Sequence, residues 1–300
     1  MTQPLAFHTL DVFTERRYGG NPLAVVLAAD GLNTRQMQTI AREFNLSETV
    51  FVQRPLLAGA AFKLRIFTPA VEMPFAGHPT VGTACLLAEL RLAPQGEDVH
   101  FVLEENVGLV PVRVRREAGR APYGELSTAV LPQAGPATPD AAVLAAMLGL
   151  DAEDIGHHGE AARMLSCGVP YVLVPLRSPE LLAGISFDTQ VWQQHLARAW
   201  AHQLYVYARG YEGELRARMF APGAGVHEDP ATGSAAVVLA GRLALEAAQA
   251  DGTLAWTIHQ GLEMNRPSVL EIAADKQAGL VTAVRVGGHA VRVSSGSLQQ

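Results

Sequence analysis

The chain repeats itself, and that repeat restricts its possible folds more than any other feature. "RIFTP" (Arg65 to Pro69) returns 153 residues later as "RMFAP" (Arg218 to Pro222). "HPTVGTA" (His78 to Ala84) returns at an offset of 151 as "DPATGSA" (Asp229 to Ala235), and "GNPLAVVL" (Gly20 to Leu27) is echoed at 148 by "GVPYVLVP" (Gly168 to Pro175). Three segments in one order at nearly constant offset predict two similar units in one chain. The expected halves are residues 1–125 and 126–300, with room for the C-terminal strand to cross back into the first. Their boundary is expected in "LPQAGPATPDAA", which is rich in Pro, Gly and Ala and has neither helical nor strand period.

Each half follows the same local order. Short β-rich runs come first, "LAVVL", "TVFVQ" and "FKLRIF" in one and "YVLVPL", "LYVYA" and "LRARMF" in the other. A proline, a loop and a glycine turn then lead into "TVGTACLLAELRL" or "TGSAAVVLAGRLAL". A helix that is apolar on nearly every side has to be buried, so each half is expected to wrap a sheet around one central helix. More strands follow, among them "VHFVLEENVGLVPVRVRR" and "LVTAVRVGGHAVRVSSG". The fold class is therefore α+β: two pseudo-symmetric halves, each a mixed sheet or barrel around a helix. "AAVLAAMLGL" and "VWQQHLARAWAHQ" read as surface helices, the second carrying Trp192 and Trp200.

Composition narrows the function. A net charge of −6 without a Lys/Arg stripe argues against a nucleic-acid surface. No apolar run reaches the roughly 18 residues of a membrane span, and no secretory signal is visible, so a cytoplasmic location is expected. Cys85 and Cys167 are the only cysteines, too few for a disulfide framework, and Cys85 reads as a small buried hydrophobe in its helix. No Cys/His spacing resembles a zinc site, and the adjacent His157 and His158 of "DAEDIGHHGE" point apart on regular structure, so no metal is expected. "PGAGVHEDP" offers only Gly-x-Gly, which removes a Rossmann-type cofactor site.

The ionisable residues gather at the glycine turns. In "VHEDPATGSAAVVL" Asp229 can cap the helix, or the same threshold can serve as an anion site that Gly233 and Ser234 leave open. By the 151-residue echo His78 occupies the matching place in the first half. A histidine is a poor cap, and the positive helix end favours its neutral form. Neutral His78 with the Asp229 carboxylate across a cleft between the halves makes a proton-handling pair, whereas two separate caps would make none. Glu48, entering an apolar strand in "NLSETVFV", is either a solvated edge residue or a partly buried acid/base with a raised pKa. Glu72, His227 and Glu228 flank these motifs.

Together "DVFTERRYGGNPLAVVL", "NLSETVFV", "FTPAVEMPFAGHPTVGTACLL" and "EDPATGSAAVVLAGRL" resemble the PhzF family of phenazine-biosynthesis-like proteins, nearly end to end. The resemblance implies the diaminopimelate epimerase fold, catalysis without metal or organic cofactor, and a homodimer. It makes Glu48 the general acid/base and adds His78 and Asp229 as catalytic groups. Asn21, Ser47, Gly77, Gly233 and Ser234 become substrate-binding residues, the two glycines letting backbone N–H groups reach a substrate carboxylate. Related epimerases and racemases use two opposed cysteines at these helix starts. Neither turn here contains one, so the two-thiol mechanism does not carry over. The implied activity is isomerisation of trans-2,3-dihydro-3-hydroxyanthranilate or a similar small acid. An amino-acid epimerase and a non-catalytic small-molecule binder are the alternatives.

Overall fold

The computed structural model describes residues 4–156 and 159–299. His157 and His158 lie outside the described residues. The chain divides into two compact units. The first comprises Met1–Ala129, Arg266–Val269 and Arg285–Gln300, and the second Val130–Asn265 and Leu270–Val284.

In chain order the first unit holds β1 (Leu5–Val12), β2 (Asn21–Val26), α1 (Thr34–Phe44), β3 (Glu48–Gln53), β4 (Phe62–Phe67), β5 (Glu72–Met73), α2 (Gly77–Glu89), β6 (Asp98–Glu105), β7 (Gly108–Arg115) and β8 (Tyr123–Ser127). The second begins with β9 (Gln133–Ala134), α3 (Ala141–Leu148), β10 (Arg163–Ser166), β11 (Pro170–Pro175), α4 (Glu180–Ala183) and α5 (Thr189–His195). It continues with β12 (Leu204–Arg209), β13 (Leu215–Ala221), β14 (Val226–Asp229), α6 (Gly233–Glu246) and β15 (Gly252–Gln260). The chain ends with β16 (Ser268–Gln277) and β17 (Leu280–Leu298).

The first unit is a closed eight-stranded barrel in the order β1, β2, β3, β4, β6, β7, β8, β17 and back to β1. Closure comes from the far end of the chain: residues 285–289 of β17 pair with β8, and 290–298 with β1. Two neighbours are parallel, β2 with β3 and β4 with β6. Parallel neighbours need a crossover, and the crossovers are the unit's two helices. α1 covers the outside, where Met37 and Ala41 pack on Phe51 and Phe67. α2, between β4 and β6 in the chain, is buried on every side from Gly77 to Ala88. Its fit depends on close approaches. A Cβ on Gly82 would meet Val12 and Leu23 at 2.5 and 2.7 Å, and one on Gly124 of β8 would stand 2.9 Å from Cys85 Sγ.

The second unit repeats the pattern. β11 is parallel to β12, β12 antiparallel to β13, β13 antiparallel to β14 and parallel to β15, with α6 as the buried crossover. The ammonium of the buried Lys276 donates to the Ala244 and Ala247 carbonyls at 2.9 Å each, placing positive charge at the negative end of α6. Two expectations need correction. The supposedly patternless "LPQAGPATPDAA" contains β9, which pairs with β10. The surface helix is only α5, where Trp192 is buried with its indole N–H on the His202 carbonyl, while Trp200 lies beyond it, 43% exposed.

Candidate active site

The two units reveal a truer repeat than the sequence echo. Arg65 of β4 holds the Glu72 carboxylate of β5 through Nε and Nη2 at 2.8 and 2.7 Å. Arg218 of β13 holds Glu228 of β14 the same way, at 2.8 Å twice. The arginines stand over Phe67 and Phe220, 5.2 and 5.1 Å from the ring centres. The arginines are 153 residues apart and the glutamates 156, because the hairpin of β13 and β14, which includes a register shift, is three residues longer than that of β4 and β5. From there "EMPFAG" and "EDPATG" run in step, and Gly77 and Gly233 each open their helix. His78 therefore matches Ser234, and Asp229 matches Met73. The 151-residue pairing of His78 with Asp229 was out of register.

Asp229 also does not begin its helix. It ends β14, three residues before the N-cap Thr232, whose hydroxyl donates to its carboxylate at 2.6 Å. The strand β14 runs to Asp229 and the helix starts only at Gly233, so Asp229 stands too far ahead of the first turn to be its N-cap.

In the first unit the parallel pair β2/β3 places Asn21, Leu23 and Glu48 at one end of the barrel, Leu23 directly opposite Glu48. Phe51 faces α1, so by strand alternation Glu48 faces α2. His78, in the first turn of α2 and 3% exposed, lies between the two polar groups. Its Nδ1 is 3.1 Å from the Asn21 amide nitrogen, and its Nε2 is 3.2 Å from Glu48 Oε2. The Asn21 amide and the Glu48 carboxylate thus flank the two ring nitrogens. Burial drives His78 down to about 3, opposed by the Pro22 carbonyl, so the ring is neutral at pH 7. Ser47, half-buried, precedes Glu48 at the strand start.

That depression has a consequence for stability. Unfolding returns His78 to its ordinary value of 6.5, so the unfolded chain binds the extra proton between about 3 and 6.5. Stability is then complete above pH 6.5 and falls on acidification, by up to about 1.4 kcal/mol per pH unit from this residue. Urea unfolding of wild type and His78→Gln at pH 7 and pH 5 should show the wild-type advantage shrinking by about 2 kcal/mol. An unchanged difference would mean that His78 keeps its ordinary pKa in the folded protein.

In the second unit Gly233 is buried at the start of α6, and Ser234 Oγ lies 2.7 Å from the Tyr171 hydroxyl. Gln260, fully buried, ties the turn together. Its Oε1 accepts from the Thr232 N–H and the Tyr205 hydroxyl, and its Nε2 donates to the Asp229 carbonyl and Thr232 Oγ1. Sequence reasoning missed Tyr171, Thr232 and Gln260; of these only Thr232, inside the "DPATGS" turn, carried a local signal, the other two being brought to the helix start by strand pairing.

The flanking residues have other work. Glu72 and Glu228 are committed to their arginines, and His227 stands edge-on to Phe187 and Phe220. Both thiols are buried. Desolvation pushes Cys167 up to about 12 and Cys85 higher still, and Cys85 sits in the interior of α2 away from its start. Neither suits acid/base duty. Among the described residues no cluster of three or more His, Cys, Asp or Glu side chains has metal-binding geometry. No helix among them is long and apolar enough to cross a membrane.

α2 and α6 differ from α1, α3 and α5 in one respect. Asn33, Asp140 and Asp188 cap α1, α3 and α5 with their side chains. The N-caps of α2 and α6, Ala76 and Thr232, make no such bond. Both central helices thus present backbone N–H groups of their first turn, with the positive end of the helix, to whatever anion approaches.

Residues 10–296 match the family model of the phenazine biosynthesis-like proteins. The chain is 46% identical over 294 residues to an uncharacterized isomerase of Mesorhizobium japonicum, covering 96% of each chain. It is 34% identical to the trans-2,3-dihydro-3-hydroxyanthranilate isomerase of Pseudomonas chlororaphis, over 96% of this chain and 97% of that one. A PhzF-family protein of Bacillus anthracis, 24% identical, shares the fold with a TM-score of 0.88 over 100% of both chains. The chain belongs to the phenazine biosynthesis-like (PhzF) family and has its diaminopimelate epimerase-like fold.

Proposed function

We propose that this chain, an isomerase by family and by the relatives it matches, moves a proton between carbons of a small, conjugated carboxylic acid. Trans-2,3-dihydro-3-hydroxyanthranilate, the substrate in the name of its Pseudomonas relative, is the type compound. The observation that carries the reading is Glu48 beside a neutral, buried His78 at an uncapped helix start. Glu48 takes the proton from one carbon and returns it to another. Bonds and charge balance without a co-reactant, because the conjugated substrate delocalises the intermediate carbanion. His78, held by Asn21, donates toward Glu48 or a developing negative charge on the substrate. The first-turn N–H groups at Gly77 hold the acidic group of the substrate.

Asp229, Gly233, Ser234 and Ser47 keep, within this proposal, the roles their resemblance to the family assigns. The same resemblance supports a homodimer working in the cytoplasm. The test is incubation with trans-2,3-dihydro-3-hydroxyanthranilate in D₂O, followed by NMR. One deuteron should enter the product carbon that gains hydrogen. Turnover without deuterium would indicate a shielded transfer, and unchanged substrate would remove this compound as the type substrate.

A further inference from the structure

Glu105, the last residue of β6, is buried beside the first turn of α2 and has no part in the chemistry above. Its Oε1 lies 2.5 Å from the Thr80 hydroxyl, and that hydroxyl lies 2.7 Å from the carbonyl of Ala76, the N-cap of α2. A hydroxyl has a single proton. The Ala76 carbonyl can only accept, and its bond from the Thr80 N–H is long, 3.4 Å. The Thr80 proton therefore belongs on Ala76, and the proton in the short contact with Glu105 has to come from the glutamate. Glu105 Oε2 is buried with no partner, a poor place for half of an ionised carboxylate.

The repeat supplies an independent observation. Glu105 stands one residue beyond the Lys63/Glu104 pair of β4 and β6, and Gln260 one residue beyond the Arg216/His259 pair of β13 and β15. They are equivalent positions, and the second unit carries there the neutral isostere of a protonated glutamate. Gln260 Nε2 donates to the Thr232 hydroxyl at the start of α6, as Glu105 would donate to Thr80 at the start of α2.

We propose that Glu105 works as a neutral carboxylic acid, a positioning residue that locks the Ala76–Thr80 turn and so fixes Gly77 and His78 at the site, and that its ionisation releases that lock. Its catalytic meaning rests on the function proposed above; its protonation state does not. Desolvation raises its pKa to about 8, with Thr80 the opposing influence. The charged groups on neighbouring elements are engaged elsewhere. Glu104 pairs with Lys63 at 3.1 Å and accepts from the Leu56 and Leu57 N–H groups. Glu72 takes Arg65 and Asn106, and Glu48 faces His78. Across β7, Glu105 pairs with Gly108.

The test is NMR on the full chain, with labelled glutamate carboxyls and histidine rings, comparing wild type with Glu105→Gln and Thr80→Val. One glutamate carboxyl should be neutral at pH 7, titrate near 8 and vanish in Glu105→Gln. The wild-type His78 ring signals should shift with that same midpoint. In Glu105→Gln they should hold still from pH 6 to 9, and in Thr80→Val they should take the alkaline wild-type position already at pH 7. Against substrate, the alkaline fall in kcat/KM should be lost in Glu105→Gln. A Glu105 carboxyl already ionised at pH 7, or His78 signals that titrate unchanged in Glu105→Gln, would overturn the proposal. Absence of turnover on the type substrate would count against the proposed function only, since the NMR needs no substrate. If Thr80→Val does not fold, the wild-type and Glu105→Gln titrations decide alone.

Discussion

Glu48→Gln should lower kcat by about a thousandfold, within the about 10²–10⁴ range of positioned acid/base catalysis, and leave KM within a few-fold of wild type. The amide fills the volume of the carboxylate and still meets His78 Nε2, which lies 3.2 Å from the present oxygen. It cannot take a proton from carbon. Because Glu48 opens β3 and faces inward, its loss of charge removes no pairing between strands, and the melting temperature should move little. Deuterium exchange into substrate should fall in parallel with kcat. Retention of full turnover would transfer the role of base to another group. A large rise in KM alone would make Glu48 a binding residue.

Arg218→Met should be the most destabilising of the replacements considered, about 3–5 kcal/mol. Arg218 is buried, holds Glu228 through two nitrogens, donates through Nη1 to the Leu182 carbonyl at 2.7 Å, and covers Phe220. Methionine keeps the contact with Phe220 but leaves the Glu228 carboxylate, 13% exposed, without its charged partner, and the Leu182 carbonyl with only its backbone donor. Arg65→Met is the matched control in the first unit. Its ion pair is wetter, with side chains 17% and 23% exposed, and Asn106 still serves Glu72, so about 1–2 kcal/mol is expected. Urea unfolding followed by circular dichroism gives both values. Equal costs would mean that the two pairs are energetically interchangeable despite their different burial. A cost below about 1 kcal/mol for Arg218→Met would place it among surface pairs.

Much of this architecture was legible in one dimension. "FKLRIF" and "LRARMF" read as strands because apolar and polar residues alternate over a run too short for a helix, and β4 and β13 lie there. The central helices were legible because α2 and α6 carry almost no charge until their last turn. The repeat was visible too, but its register was not. Gly, Ala, Thr and Ser recur so often in helix starts that "HPTVGTA" and "DPATGSA" match without being equivalent, whereas Arg65–Glu72 and Arg218–Glu228 fix the register through contacts that no spacing rule announces. Glu48 and His78 were selected as individual residues; that they touch follows from β2 and β3 being parallel neighbours next to the start of α2.

The sequence by itself determined two units, the buried character of their central helices, the family, and the residue types available for proton transfer. These follow from local periodicity and from side-chain chemistry that travels with the residue. Only the tertiary structure decided which strand closes the first barrel, because the pairing of Leu5 with Leu298 joins opposite ends of the chain and carries no local signal. It also decided the state of the ionisable groups. His78 is neutral and Glu105 is driven toward its protonated form because desolvation depends on what surrounds a group in space, and residues distant in the chain supply those surroundings.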